Sequence, residues 1–110
     1  MKKIILSLAI LIAFVACSSI SNSKTESFKV WGNCGMCKKT IEKALDAKGI
    51  KGDWNKKTKI ISVTYDSLKY TNQQVHEVIC ASGYDTEKCK GDDNAYNNLH
   101  ECCKYERRAE

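Results

Sequence analysis

Apolar and polar positions along this chain recur with two periods, and they divide it into six short elements. Residues 28–31 alternate, with Phe28 and Val30 on one face, and predict a half-buried strand. A helix follows to about residue 48, with Cys37, Ile41, Ala44 and Leu45 on one stripe and Gly49 as its stop. Residues 50–54 predict a second strand in which Ile50 and Trp54 share a face. After a polar turn at 55–58, residues 59–65 form the clearest strand, with Ile61, Val63 and Tyr65 on one side and Ser62 and Thr64 on the other. These two strands close a hairpin. Thr71, with Gln74 three residues on, is a capping box. The helix it opens carries Val75, Val78, Ile79 and Ser82 on one face and stops at Gly83. Residues 84–90 predict a short last strand.

The order β-α-β-β-α-β, with one apolar stripe on each helix, predicts an α+β fold: a ferredoxin-like sandwich of two helices on an antiparallel sheet. We assign this domain to residues 27–90. The tail at 91–110 starts with a polar turn, and 95–108 can continue as a helix with Tyr96, Leu99 and Cys103 on one face. Ahead of the domain, Lys2 and Lys3 precede an apolar run that ends at Cys17, so residues 1–16 read as a signal peptide. Cys17 at the cut resembles the bacterial lipobox, whose cysteine is lipidated and becomes the new N-terminus. Residues 17–26, rich in Ser, Asn and Thr, then read as a flexible tether. The expected location is the cell envelope, as an exported lipoprotein on a periplasm-facing membrane surface.

Composition changes this picture in two ways. The net charge of +5 is modest, and its basic residues are scattered among acids, which excludes a nucleic-acid footprint. Seven cysteines in 110 residues are a heavy load, so disulfides, metal ligation or both are expected. Cys34 and Cys37 form a CxxC at the start of the first helix. There the helix dipole favours thiolate, the form that binds soft ions. Lys38 and Lys39, beside them, read first as a solvated helix start; their sharper role would be to offset the charge of a bis-thiolate centre and to meet an acidic partner. The same pair could instead run thiol–disulfide exchange. The chain has no proline to supply the cis-proline that faces the CxxC in thioredoxin-like folds. No serine–histidine pairing, paired carboxylates or phosphate-cradling glycine loop suggests an enzyme.

The run from Val30 to Cys37, then Ile41 to Leu45, Trp54 to Thr58 and Gly83-Tyr84-Asp85, resembles the heavy-metal-associated domain family. That family includes small copper chaperones, domains of copper-pumping ATPases and mercury-binding proteins. The chain is similar, in particular, to exported members that end in a Cys-Cys tail. The resemblance implies that Cys34 and Cys37 bind one soft ion at an exposed loop. It implies Cu(I) first, with Zn(II) or Hg(II) as alternatives, and a metal-transporting ATPase or efflux system as partner. The family usually has methionine two residues before the first cysteine. Gly32 stands there in this chain, and Trp31 is expected to fill the space.

The remaining candidates concern the tail and the second helix. Cys102 and Cys103, with His100 before them, are additional candidate ligands to the same ion or to a second site, or could pair with other cysteines. A helical tail would run back along the domain, so the four thiols of Cys34, Cys37, Cys102 and Cys103 are expected to converge. Cys80 and Cys89 read as buried thiols or as a bridge in an oxidising compartment, and His76 as a surface residue. The expected function is a membrane-anchored, non-enzymatic binding protein that buffers a soft metal ion or hands it to a transporter. Alternatives are an envelope thiol–disulfide oxidoreductase and a mercury or zinc scavenger or sensor.

Overall fold

The computed structural model describes residues 22–109. The expected signal peptide and Cys17 lie outside the described residues. The elements are β1 (Ser23–Lys29), α1 (Gly35–Asp46), β2 (Lys51–Trp54), β3 (Ile60–Asp66), α2 (Asn72–Ala81), α3 (Asp93–Asn97) and a 3-10 turn (Glu101–Cys103). The sheet is antiparallel in the order β1-β3-β2, the arrangement expected of a ferredoxin-like α+β fold. Its inward face carries Phe28, Ile61, Val63, Tyr65 and Trp54, all buried against the helices. From α1 come Cys37, Ile41 and Leu45, and from α2 come Val75 and Ile79. The predicted capping box is present: Gln74 N–H donates to Thr71 Oγ1 at 3.2 Å, and Thr71 N–H to Gln74 Oε1 at 2.9 Å. Such a cap stabilises a helix start by about 1 kcal/mol.

Four expectations are corrected. First, β1 starts at Ser23, so residues 23–26 of the expected tether belong to the sheet, from Ser23 opposite Asp66 to Glu26 opposite Val63. This half of the strand carries no apolar alternation. It is held by backbone pairing and by a Thr25–Thr64 hydroxyl contact of 2.9 Å, so hydrophobic periodicity could not show it. Second, the expected strand at 84–90 shrinks to one bridge, Val30 with Thr86. Thr86 Oγ1 accepts from the amides of Lys88 and Cys89, which turns the chain back on itself. A Cys80–Cys89 disulfide ties that turn to α2.

Third, the tail helix expected over 95–108 is only the five residues of α3, capped by Asp92 through the Ala95 amide at 2.9 Å. Beyond the 3-10 turn the chain forms no helix or strand, and the Tyr105 amide donates back to Cys103 O at 2.8 Å. Cys103 and Tyr105 turn inward and Arg107 is half-buried behind them, a period of two instead of a helical stripe. Fourth, His76 is not on the surface. Its ring is 1% exposed, stacks on Phe28 with centroids 3.8 Å apart, and meets Thr86 Oγ1 through Nδ1 at 2.6 Å.

Candidate metal centre

β1 delivers the chain to the loop at Val30, and the Trp31 amide donates to Asp85 O at 2.9 Å. Gly32 then passes directly over the Trp54 ring: a Cβ there would lie 2.9 Å from Trp54 Cζ2. Trp54 is buried and its Nε1–H donates to Val30 O at 3.0 Å. The residue under the loop is therefore Trp54, not Trp31, which is half-buried with Lys29 Nζ over its ring. A glycine at position 32 and a large ring at position 54 are complementary, and together they support the loop from below.

Cys34 is the N-cap of α1 and is half-exposed, while Cys37 in the first turn is fully buried. Their sulfurs are 3.8 Å apart and both thiols are free. The amide of Cys37, and then that of Met36, are turned toward the Cys34 sulfur. Against the opposing effect of burial they hold that thiol at about 7. Asn33 N–H donates to Cys37 Sγ at 3.3 Å. Lys38 does not face the thiols as expected. Its Nζ is committed to Glu42 at 2.7 Å, Asp53 at 2.6 Å and Trp54 O at 2.9 Å, pinning α1 to β2.

The tail reaches this loop. The 3-10 turn sets Cys102 and Cys103 beside it, and the Cys34 thiol donates to Cys102 O at 3.4 Å. The sulfurs of Cys34, Cys102 and Cys103 all lie within 4.8 Å of one another. Cys102 Sγ is 3.9 Å from Cys103 Sγ and 3.6 Å from the sulfur of the exposed Met36. Cys37 stands next to Cys34 and in contact with Cys103 but is not in the mutual triple. The convergence expected from sequence thus brings together Cys34, Cys102 and Cys103, with Cys37 adjoining. His100 is exposed and does not join the cluster; its carbonyl accepts from the Cys103 amide. Cys80 and Cys89 are spent in their disulfide. Burial pushes the Cys103 thiol up to about 12, with the Cys37 thiol adding to the effect.

Comparison with solved structures places this geometry. A CopZ metallochaperone is 35% identical, with a TM-score of 0.54, and 98% of that chain is matched by 57% of this one. The chain belongs to the heavy-metal-associated domain family. A Bacillus anthracis str. Ames protein described as copper-ion-binding is 28% identical, with a TM-score of 0.55, and is matched over 100% of its length by 61% of this chain. No protein-family model and no curated protein matches the chain. Nearly all of CopZ is thus covered by little more than half of this heavy-metal-associated domain protein, and the rest of the chain has no counterpart in it.

The residues that fasten the tail to the domain were not singled out from sequence. Tyr105 is buried; its hydroxyl accepts from the Asp85 amide at 2.9 Å and donates to Gly83 O at 2.7 Å. Tyr105 stacks on Tyr84 and meets the edge of Tyr96. The fully buried Asp85 carboxylate accepts from the Gly91 amide at 2.7 Å, from Arg107 Nη2 at 3.0 Å and from the Arg108 amide at 3.0 Å. Burial alone would raise the Asp85 carboxyl, but Arg107 and these amides hold it below its ordinary range. Gly83 and Gly91 let the backbones cross: a Cβ on Gly91 would lie 2.6 Å from the Gly83 carbonyl carbon. The only advance signal was Gly83-Tyr84-Asp85 itself. Beside the cluster, the Tyr84 hydroxyl is fully buried and makes no hydrogen bond among the described residues, with the Cys37 and Cys103 thiols next to it.

Proposed function

We propose that this chain is a binding protein for a soft metal ion, Cu(I) first, that buffers the ion or passes it to a transporter. The observation that carries the reading is the Cys34–Cys37 pair. Two free thiols lie 3.8 Å apart at a helix N-terminus, one half-exposed and already inclined to the thiolate. Thiolate softness selects against Mg(II) and Ca(II) but does not separate Cu(I) from Zn(II) or Hg(II). The similarity to CopZ, a metallochaperone, favours copper. By the same similarity, a metal-transporting ATPase or efflux system is the partner class. The binding is not catalytic. Export and anchoring through Cys17 would keep the domain at the membrane surface beside such a transporter.

The low thiol of Cys34 also suits an envelope thiol–disulfide oxidoreductase. The two readings separate in one experiment on the reduced CxxC, titrated anaerobically with Cu(I) in competition with a chelator. Replacing Cys34 and Cys37 together by serine lowers the Cu(I) affinity by more than about 100-fold, beyond what outer-shell partners command, and leaves the circular dichroism unchanged. An affinity unaltered by the double substitution would refute the site. A CxxC that equilibrates readily with a thiol–disulfide buffer and takes up no Cu(I) would favour the redox reading.

A further inference from the structure

We propose that Cys103 and Cys102 complete a second, three-thiolate position for the soft ion together with Cys34, so that the tail caps the loop and makes the protein a retaining site. This rests on the soft-metal reading of the CxxC and deepens it.

The geometry suits one shared ion. A metal–thiolate bond of about 2.3 Å separates sulfurs by about 4.0 Å in a trigonal site and about 4.6 Å in a linear one. The sulfurs of Cys34, Cys102 and Cys103 lie within 4.8 Å of one another, with the last two 3.9 Å apart. A bridge between Cys102 and Cys103 does not compete well, because adjacent Cα atoms are about 3.8 Å apart and disulfides need at least about 4.4 Å. Cys34 belongs both to this triple and to the CxxC pair, so an ion can pass between the two positions by exchanging thiolate ligands. Each thiol that ligates gives its proton to solvent.

Two further observations point to a ligand at this place. The Tyr84 hydroxyl is fully buried beside Cys37 and Cys103 and has no hydrogen-bond partner among the described residues. An unpaired buried hydroxyl costs about 1–3 kcal/mol; a thiolate sulfur, once formed, would accept its hydrogen bond. The tail is also fastened independently of any ion, by Tyr105, by Arg107 on Asp85, and by the Gly83–Gly91 crossing. The thiols of the tail are therefore presented by a folded strap. Ion transfer between proteins needs an open side from which an incoming thiolate can attack. Here the Cys102 carbonyl and thiol stand on that side of Cys34.

The test uses the full chain with the Cys80–Cys89 disulfide intact, loaded anaerobically with one equivalent of Cu(I). X-ray absorption counts the sulfurs around the ion, and a competing chelator reads affinity and release rate. The wild type should show three sulfurs. The Cys102→Ser/Cys103→Ser variant should show two, bind at least about tenfold more weakly and release faster, in the range of a ligand-set change. Cys103 is buried, so Cys102→Ser alone, at an exposed position, serves if the double variant does not fold, and should also lower the sulfur count. A two-sulfur wild type indistinguishable from both variants overturns the capped site and leaves the Cys34–Cys37 reading standing. A wild type that takes up no Cu(I) overturns both.

Discussion

Asp85 is the residue on which the docking of the tail turns, and Asp85→Asn tests that docking with almost no change of shape. The aspartate uses both oxygens as acceptors, one for the Gly91 amide and Arg107, the other for the Arg108 amide. Asparagine has one acceptor oxygen. Whichever way its amide turns, an NH2 group faces a buried donor, and the charge opposite Arg107 is gone. A hydrogen bond to a charged group contributes about 1.5–3 kcal/mol, and breaking a buried pair by removing one partner costs about 3–5 kcal/mol. Arg107 keeps some solvent contact and its second partner, Asp93, at 2.6 Å. The lower end, about 3 kcal/mol, is therefore the appropriate magnitude.

That loss falls on the strap first, because Cys103, Tyr105 and Arg107 can lift away while the sheet and α1 stay in place. At about 1.4 kcal/mol per tenfold, the open population rises roughly 100-fold. Cys103 reports it. The thiol is 1% exposed in the closed chain, so alkylation must wait for opening. In a Cys102→Ser background, alkylation of Cys103 in the metal-free protein, followed by mass spectrometry, should accelerate by about two orders of magnitude in Asp85→Asn. The urea midpoint should fall as well, because the closed chain is the reference state for global unfolding too. If the Cys103 rate and the midpoint both stay at their wild-type values, Asp85 does not hold the tail and the argument fails.

Two further outcomes are expected. With Cys17 acylated, the protein should partition into detergent, and Cys17→Ser should either release it to the aqueous phase or block its processing; a wild type that is aqueous and starts elsewhere would refute the anchor. Stability should fall with acid in two stages. Burial, reinforced by Lys88, holds the His76 ring below its ordinary 6.5, so the unfolded chain binds that proton first. The stability contributed by neutral His76 is thus full above about 6.5 and declines as pH falls below it. Asp85 is depressed from an ordinary 3.8, so its contribution persists above about 3.8 and is lost as pH falls through its lowered value. A urea midpoint that stays flat from pH 7 to 5 would contradict the account of His76.

What could be read in advance was local. The stripe of Cys37, Ile41 and Leu45, the alternation of Ile61, Val63 and Tyr65, and the Thr71–Gln74 box each lie within a single element, and each appears where its period put it. The polar half of β1 offered no such period, because its pairing energy is in the backbone. His76 was misplaced for a different reason. Its burial depends on Phe28 and Thr86, which come from other parts of the chain, and a ring that stacks on one and hydrogen-bonds the other needs no apolar neighbours in sequence.

The tail shows the same limit more sharply. Chain length allows Cys102 and Cys103 to approach Cys34, since a short helix could span the return. The route could not be derived, because α3 stops after five residues and the irregular segment beyond it is shaped by contacts 14 to 23 residues away in sequence. Tyr105 and Arg107 resemble any two residues of a charged terminus until Gly83, Asp85 and Gly91 are brought opposite them. Those same residues sit where the last strand of the sandwich was expected. One turn at Thr86 and one disulfide at Cys89 take the chain out of the sheet after the Val30–Thr86 bridge, and the Asp85 amide and Gly83 carbonyl are turned to Tyr105 of the tail while the Asp85 carbonyl still accepts from Trp31. The loss of the edge strand and the docking of the strap are therefore one event. A variant that restored the strand by abolishing the Thr86 turn would compete for the Asp85 and Gly83 backbone groups that hold Cys103 against the loop.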